Sequence, residues 1–290
     1  YILVLTLVLA VFSAYSEEDA KRYTWASSYA YCDYMAKNDC GKASTGIKNN
    51  GLTLVAFQEA GRVFNFINVA ILKDPIRQEL IVAFSGTKNP AQLAHEIVGN
   101  LPTAYSLHDI KDAFVLSYFA SHYAQFSDWL HKTLANIGLN NYKLVITGHS
   151  LGGALAVHAA TDLVYSGLRP VHKVYTFGQP RVGNKQFDQF LKSKVQDVYR
   201  VTHWQDLVVH APPCISKLHL FDTDCFSEGA LPFYPYNSLK EVFYNQDFTS
   251  HKICQHEEDR SCSNQFGSID AGVSDHLVYF GIDVGGSWKK

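Results

Sequence analysis

The stretch that decides the fold is KLVITGHSLGGAL, Lys143 to Leu155. Lys143 to Thr147 is short, apolar and β-branched, the composition of a strand. The run from Gly152 onward is small and apolar and reads as a helix. Between them stands a polar residue, Ser150, with Gly148 and Gly152 on either side. A strand that turns directly into a helix strains the corner residue. It also brings the flanking chain so close that only glycine-sized side chains fit. The corner side chain is pushed out above the sheet, and the helix N-terminus below it supplies free N–H groups and a partial positive charge. Gly148 to Gly152 thus matches G-x-S-x-G in the strand–turn–helix setting that the pattern requires, and Gly153 strengthens the match. The turn presents Ser150 as a nucleophile. His149 adjoins it on a sharp turn, so its ring is expected to point away into packing as a structural residue.

The chain has 290 residues, enough for one large domain with a sizeable core. Lys plus Arg total 25 and Asp plus Glu 27, so neither a nucleic-acid footprint nor a polybasic membrane patch is expected. Ile2 to Phe12 is an apolar run too short to span a bilayer, followed by small residues and then by Glu17 and Glu18. It reads as a secretory signal over residues 1–16, with cleavage near Ser13 to Ser16. With no Met and no basic residues ahead of it, the leader is expected to lack its first residues. The six cysteines fall as three close couples: Cys32 and Cys40, Cys214 and Cys225, Cys254 and Cys262. Local disulfides fit an exported protein, whereas the absence of C-x-x-C spacing argues against zinc.

Three β-like runs, Leu52–Phe57, Val63–Leu72 and Glu79–Phe84, follow a helical segment over Lys21–Met35. Phe114, Leu116, Phe119, Tyr123, Phe126 and Leu130 carry helical spacing, with Gly138 as a cap. Lys143–Thr147, Lys173–Phe177 and Val198–His203 are short β-branched runs alternating with helices. That is the pattern of a mostly parallel sheet covered on both faces, an α/β fold. Pro212 to Cys262, rich in aromatics, Pro and Cys, reads as long loops. No boundary divides residues 17–290, which are expected to form a single domain.

A serine hydroxyl needs a base to take its proton, and in this architecture the order is Ser, then Asp or Glu, then His. Asp206 lies three residues past a strand, at the sheet edge that carries Ser150. Asp162 sits too far along the following helix. Asp188 and Asp197 flank a helix and read as solvated. Asp222 and Asp224 remain weaker rivals. For the base, His276 beside an apolar run leads, with His219, His251 and His256 still open, and His203 and His210 read as structural. Two backbone N–H groups would hold the oxyanion. One is Leu151, next to the nucleophile, and the other is Thr87 at the glycine turn Ser85-Gly86-Thr87 after a strand.

Together these residues resemble the secreted fungal-type (class 3) triacylglycerol lipases. The resemblance runs through VAFSGT (Val82–Thr87), ITGHSLGGALA (Ile146–Ala156), YTFGQPRVGN (Tyr175–Asn184), RVTHWQDLVVHAPP (Arg200–Pro213) and DHLVYFG (Asp275–Gly281). It implies an α/β-hydrolase fold and a triad of Ser150, Asp206 and His276, with Thr87 and Leu151 as the oxyanion hole. Ser85 stands where the family often has Arg. The resemblance further implies a lid over Asn89 to Leu101, though without the family's frequent Trp. The expected activity is hydrolysis of acylglycerol esters without metal or cofactor. The expected partner is a lipid or ester substrate, met in solution or at a lipid–water interface. A phospholipase A1 or feruloyl-type esterase is the alternative within the class, and a non-catalytic lipid-binding protein the alternative outside it.

Overall fold

The structure, a computed structural model, describes residues 14–32, 40–60, 67–87, 104–106, 109–213, 235–266 and 272–285. The lid expected over Asn89 to Leu101, most of the leader, the Cys214–Cys225 couple, and Asp222, Asp224 and His219 lie outside them. Helix α1 (Glu17–Ala30) opens the described chain and α2 (Gly41–Asn49) follows. The strands are β1 (Thr53–Ala60), β2 (Ile67–Asp74), β3 (Glu79–Phe84), β4 (Ala104–Ser106), β5 (Phe114–Leu116), β6 (Lys143–His149), β7 (Val171–Phe177), β8 (Asp197–His203), β9 (Lys240–Tyr244), β10 (His251–Ile253), β11 (Val278–Tyr279) and β12 (Ile282–Asp283). Between them run α3 (Ser117–Tyr123), α4 (Ser127–Asn136), α5 (Leu151–Ser166), α6 (Lys185–Lys194) and the short α7 (Ser274–Leu277).

Eight strands form one sheet in the order β1-β2-β3-β6-β7-β8-β9-β10. Strands β3, β6, β7, β8 and β9 are mutually parallel, and β1, β2 and β10 add antiparallel edges. The central strands are apolar because both faces are covered. Leu80, Val82 and Phe84 of β3 join the core beneath α3 to α6, whereas Ile81 and Ala83 join the core beneath α1 and α2. This is the alternation of a pleated strand between two helical layers. The expected α/β-hydrolase architecture, a mostly parallel sheet with helices on both faces, is what the chain adopts.

One expectation fails. Phe114–Leu116 is strand β5, paired with β4, and the helical spacing is realised as two helices, α3 and α4, with Gly138 at φ +71° beyond the second. The segment after Pro212, expected as long loops with few regular elements, supplies two short strands, β9 and β10, to the main sheet. Two of the three cysteine couples, Cys32–Cys40 and Cys254–Cys262, are disulfides.

The end of the sheet where β3 begins is charged. Arg22 of α1, 3% exposed, donates to Asp74 at 2.8 Å and pairs with Glu79. Tyr23 also donates to Glu79, and Lys173 reaches Asp19 at 2.6 Å. Removing one partner of a buried pair leaves uncompensated charge. Arg22→Met is expected to lose about 3–5 kcal/mol of stability in urea unfolding.

Two further buried groups, Glu258 and His210, contribute to the pH response. Glu258 takes Arg181 in a two-pronged pair, both contacts at 3.0 Å. Burial pushes the Glu258 carboxyl up, but Arg181 and the hydrogen bonds from Arg181, Asn264 and the Asn237 amide outweigh this and hold it at about 2. His210 is pushed down to about 4 by burial and then by Arg181. Both therefore bind fewer protons in the folded chain than in the unfolded one. His210 withdraws stability as pH falls from about 6.5 to about 4, and Glu258 from about 4 to about 2. Melting temperature should fall steadily below pH 6.5, a slope of about 1.4 kcal/mol per unit for each proton taken up. His149, also held low by burial, takes up a proton over the same range, so His210→Gln should roughly halve the slope between about pH 6.5 and pH 5.

Candidate active site

The corner after β6 has the geometry the sequence implies. Ser150 has φ +62° and ψ −130° and starts α5, whose first N–H groups have no intrahelical partner. A Cβ on Gly148 would strike the Gly152 carbonyl, and one on Gly152 would strike the Phe84 carbonyl at the exit of β3. On Gly86, a Cβ would lie 2.7 Å from the His149 oxygen and 2.8 Å from Ser150 Cβ. The turn at Gly86 is therefore pressed against the corner that carries Ser150. Ser85, where the family often has Arg, exchanges backbone-to-chain bonds with Asn68: its Oγ accepts from the Asn68 amide at 2.8 Å, and its own amide donates to the Asn68 carbonyl at 2.9 Å.

Asp206 and His276, 70 residues apart, meet. His276 Nδ1 lies 2.9 Å from each carboxylate oxygen. Tyr279 donates its hydroxyl to Asp206 Oδ2 at 2.7 Å, and the Val208 amide donates to Oδ1 at 2.8 Å. Burial pushes the Asp206 carboxyl up, but the His276 ring and these side-chain hydrogen bonds prevail and hold it at about 2. It is a carboxylate at any physiological pH. An acceptor-only carboxylate requires the proton on Nδ1, so Nε2 is the basic nitrogen of a neutral ring. His276 Nε2 and Ser150 Oγ are both buried, and neither has a hydrogen-bond partner.

The strand end of β7 joins the two halves. Ser150 donates its amide to the Phe177 carbonyl at 2.9 Å. The next residue, Gly178 at φ +57°, lies so close that a Cβ would sit 2.8 Å from both Asp206 Oδ2 and His276 Nδ1. Only glycine meets both constraints there. The His149 ring does not simply point away into packing. It is fully buried and lies against the His276 ring, with centroids 4.5 Å apart. Burial pushes it down to about 3, so it is neutral and no base.

Among the described residues, the rival acids and bases lie elsewhere. Asp162 accepts from Tyr123 and His131, both at 2.6 Å. Asp188 is not solvated as expected: it is buried, accepts the Leu239 amide at 2.7 Å and pairs with Lys192. His203 bridges the Asp275 and Gln246 carbonyls. His251 sits on the edge strand β10, and His256 lies in the turn after it. Sequence reasoning missed Tyr279 and Gly178. His276-x-x-Tyr279 and the glycine closing β7 were the signals available. Among the described residues no cluster could hold a metal ion.

The family profile described as lipase (class 3) matches residues 81–216. A Caenorhabditis elegans protein, Lipase ZK262.3, is 30% identical over 289 residues, covering 93% of this chain and 80% of that one. Secreted mono- and diacylglycerol lipase 1 of Fusarium solani is 32% identical over 139 residues, 48% of this chain and 38% of that one. The crystal structure of the lipase from Rhizopus microsporus var. chinensis superposes with a TM-score of 0.74 at 25% identity, covering 95% of this chain and 93% of that one. A profile that spans the Ser85–Thr87 turn, the serine corner and the loop of Asp206, joined to a relative alike over nearly the whole length, makes this chain a carboxylic ester hydrolase of the class 3 lipase family.

Proposed function

We propose that the chain is an exported acylglycerol lipase that works through an acyl-enzyme on Ser150, with His276 as base, Asp206 as its orienting acid, and the Thr87 and Leu151 amides as the oxyanion hole. One observation carries the assignment. His276 Nδ1 is bound by both oxygens of a buried Asp206, while its Nε2 and the hydroxyl at the strained corner are both buried without a hydrogen-bond partner. Catalytic hydrogen bonds of this kind tighten when substrate arrives. Nε2 takes the Ser150 proton as Oγ attacks the ester carbonyl carbon. The carbonyl oxygen becomes an oxyanion, held by the two amides and the α5 N-terminus. His276 then gives the proton to the departing alcohol oxygen. Water repeats the attack on the acyl-enzyme, and the acid leaves. Asp206 holds the tautomer and stabilises the transient imidazolium.

Ser150→Ala should reduce hydrolysis of short p-nitrophenyl esters by about 10⁴-fold or more and abolish labelling by a fluorophosphonate. Retained hydrolysis overturns the triad. Absence of labelling in the unaltered protein would favour a non-catalytic lipid binder. Triglyceride emulsion, phospholipid vesicles and a soluble feruloyl ester assayed side by side set the head-group preference. Acylglycerol is expected to lead, in line with the Fusarium relative, and a lead by phospholipid or feruloyl ester selects those alternatives.

Export is supported by the apolar leader and the two disulfides. The described N-terminus narrows the cleavage window. Ser16 caps α1, its Oγ accepting the Asp19 amide at 3.1 Å. Tyr15 packs on Tyr175 and Tyr199 and shares a 3.0 Å hydrogen bond with the Tyr244 hydroxyl. Processing after residue 16 would discard both. The protein recovered from culture medium should keep Tyr15 and Ser16 by intact mass, and a start at Glu17 refutes this boundary.

A further inference from the structure

Tyr31, just past the end of α1, is 2% exposed and forms part of neither the triad nor the oxyanion hole. Its hydroxyl oxygen lies 2.7 Å from His149 Nδ1. His149 Nε2 lies 2.8 Å from the backbone carbonyl of His276. A carbonyl can only accept, so Nε2 carries the proton of the neutral ring and Nδ1 is an acceptor. Tyr31 must then be the donor. Its oxygen is left to accept, and Gly86 lies so close to it that a Cβ there would meet the hydroxyl.

We propose that Tyr31 is a positioning residue for ester hydrolysis, holding the oxyanion turn, the nucleophile corner and the His276 loop at fixed mutual distances through one phenol oxygen and the His149 ring. The proposal rests on Ser150, Asp206 and His276 being the triad. The His149 ring fixes His276 twice, by the bond to its carbonyl and by a face-to-face contact tilted 32°. Because His149 is the residue before Ser150, the base is registered against the nucleophile's own neighbour. The mounting of Tyr31 closes the loop. Asn68 Nδ2 donates to the Ala30 and Cys32 carbonyls at 3.0 and 2.9 Å. The Asn68 backbone is in turn paired with Ser85, at the turn that carries Gly86 and Thr87. The Cys32–Cys40 disulfide pins the adjoining residue.

The test compares Tyr31→Phe, His149→Gln, His149→Leu and Ser150→Ala in the full chain, on a soluble p-nitrophenyl ester, with thermal melting in parallel. Tyr31→Phe keeps the ring and removes the donor. It should lower kcat about 10- to 100-fold, with KM changed by less than about threefold and melting nearly unmoved. His149→Gln can still offer an amide N–H to the His276 carbonyl, so it should keep about tenfold more kcat than His149→Leu. If Ser150→Ala is inactive while Tyr31→Phe matches the unaltered enzyme, or while the two His149 variants are equal, the positioning role is overturned and the triad stands. If Ser150→Ala stays active, the triad itself falls. If Tyr31→Phe lowers the melting point and kcat together, the His149 pair decides: rescue by Gln supports the proposal and equality sinks it.

Discussion

Everything at this site follows from a steric constraint at one residue. Strand β6 passes into α5 with no intervening loop, and Ser150 absorbs the reversal at φ +62°. A non-glycine residue there costs of order 1–3 kcal/mol, which persists only because the surroundings over-determine it. They do so by close approach. Gly148 abuts Gly152, Gly152 abuts the end of β3, and Gly86 abuts Ser150 itself. The Ser85–Thr87 turn and the Ser150 corner are thus set by the absence of side chains between them. The parallel ladders β3–β6 and β6–β7 run up to Gly148 and His149 and hold the backbone on either side.

The two ends of the parallel strands carry different work. Where β3 and β7 begin, Arg22, Asp74, Glu79, Asp19 and Lys173 form a buried ionic cluster that ties α1 to the sheet. Where the same strands end, Thr87, Ser150, Gly178 and Asp206 gather within a few residues of strand exits. Strand polarity explains the division. All five parallel strands point their carboxyl ends to one rim, and reactive side chains on loops there converge without disturbing the core. Charge at the opposite end ties α1 to the sheet: Arg22 and Lys173, with Arg77 on Asp19, face the three carboxylates.

Legibility in the sequence tracked how local the cause was. The serine corner was readable because its reasons lie within five residues: strand, glycine, serine, glycine, helix. Chain order and the exit of a strand pointed to Asp206 and His276 as a pair, and the two side chains do meet. Tyr279 was not singled out because its function exists only once Asp206, 73 residues away, arrives beside it. Asp188 was misread for a similar reason. In sequence it sits on an amphipathic helix with Lys192 one turn on, the mark of a solvated pair. Its second oxygen, however, accepts the amide of distant Leu239 and draws it into the core. Phe114–Leu116 has helical spacing but is claimed by β4 and by backbone bonds to Val182 and Asn184. Tertiary pairing overrode local pattern there.

Strand β9 was hidden by a charge that turns out to fix it. Glu241 stands in KEVFY, where a carboxylate suggests a solvent face. Instead it is fully enclosed and pairs at 2.6 Å with Arg200, its register partner on β8. Arg200 keeps Nε and Nη1 without hydrogen-bond partners, so the pair is a poor source of net stability. Its effect is on register. A slip of β9 by one residue would bury Glu241 and Arg200 apart and turn Val242 and Tyr244 to the wrong face. Glu241 also accepts from Thr202 and from the Ser263 amide, beside the Cys254–Cys262 disulfide. That disulfide-closed loop delivers Glu258 to Arg181, and Arg181 holds the carbonyls of His210 and Pro212, four and six residues beyond Asp206. The register of an outer strand is thereby transmitted through buried charges to the loop that carries the acid.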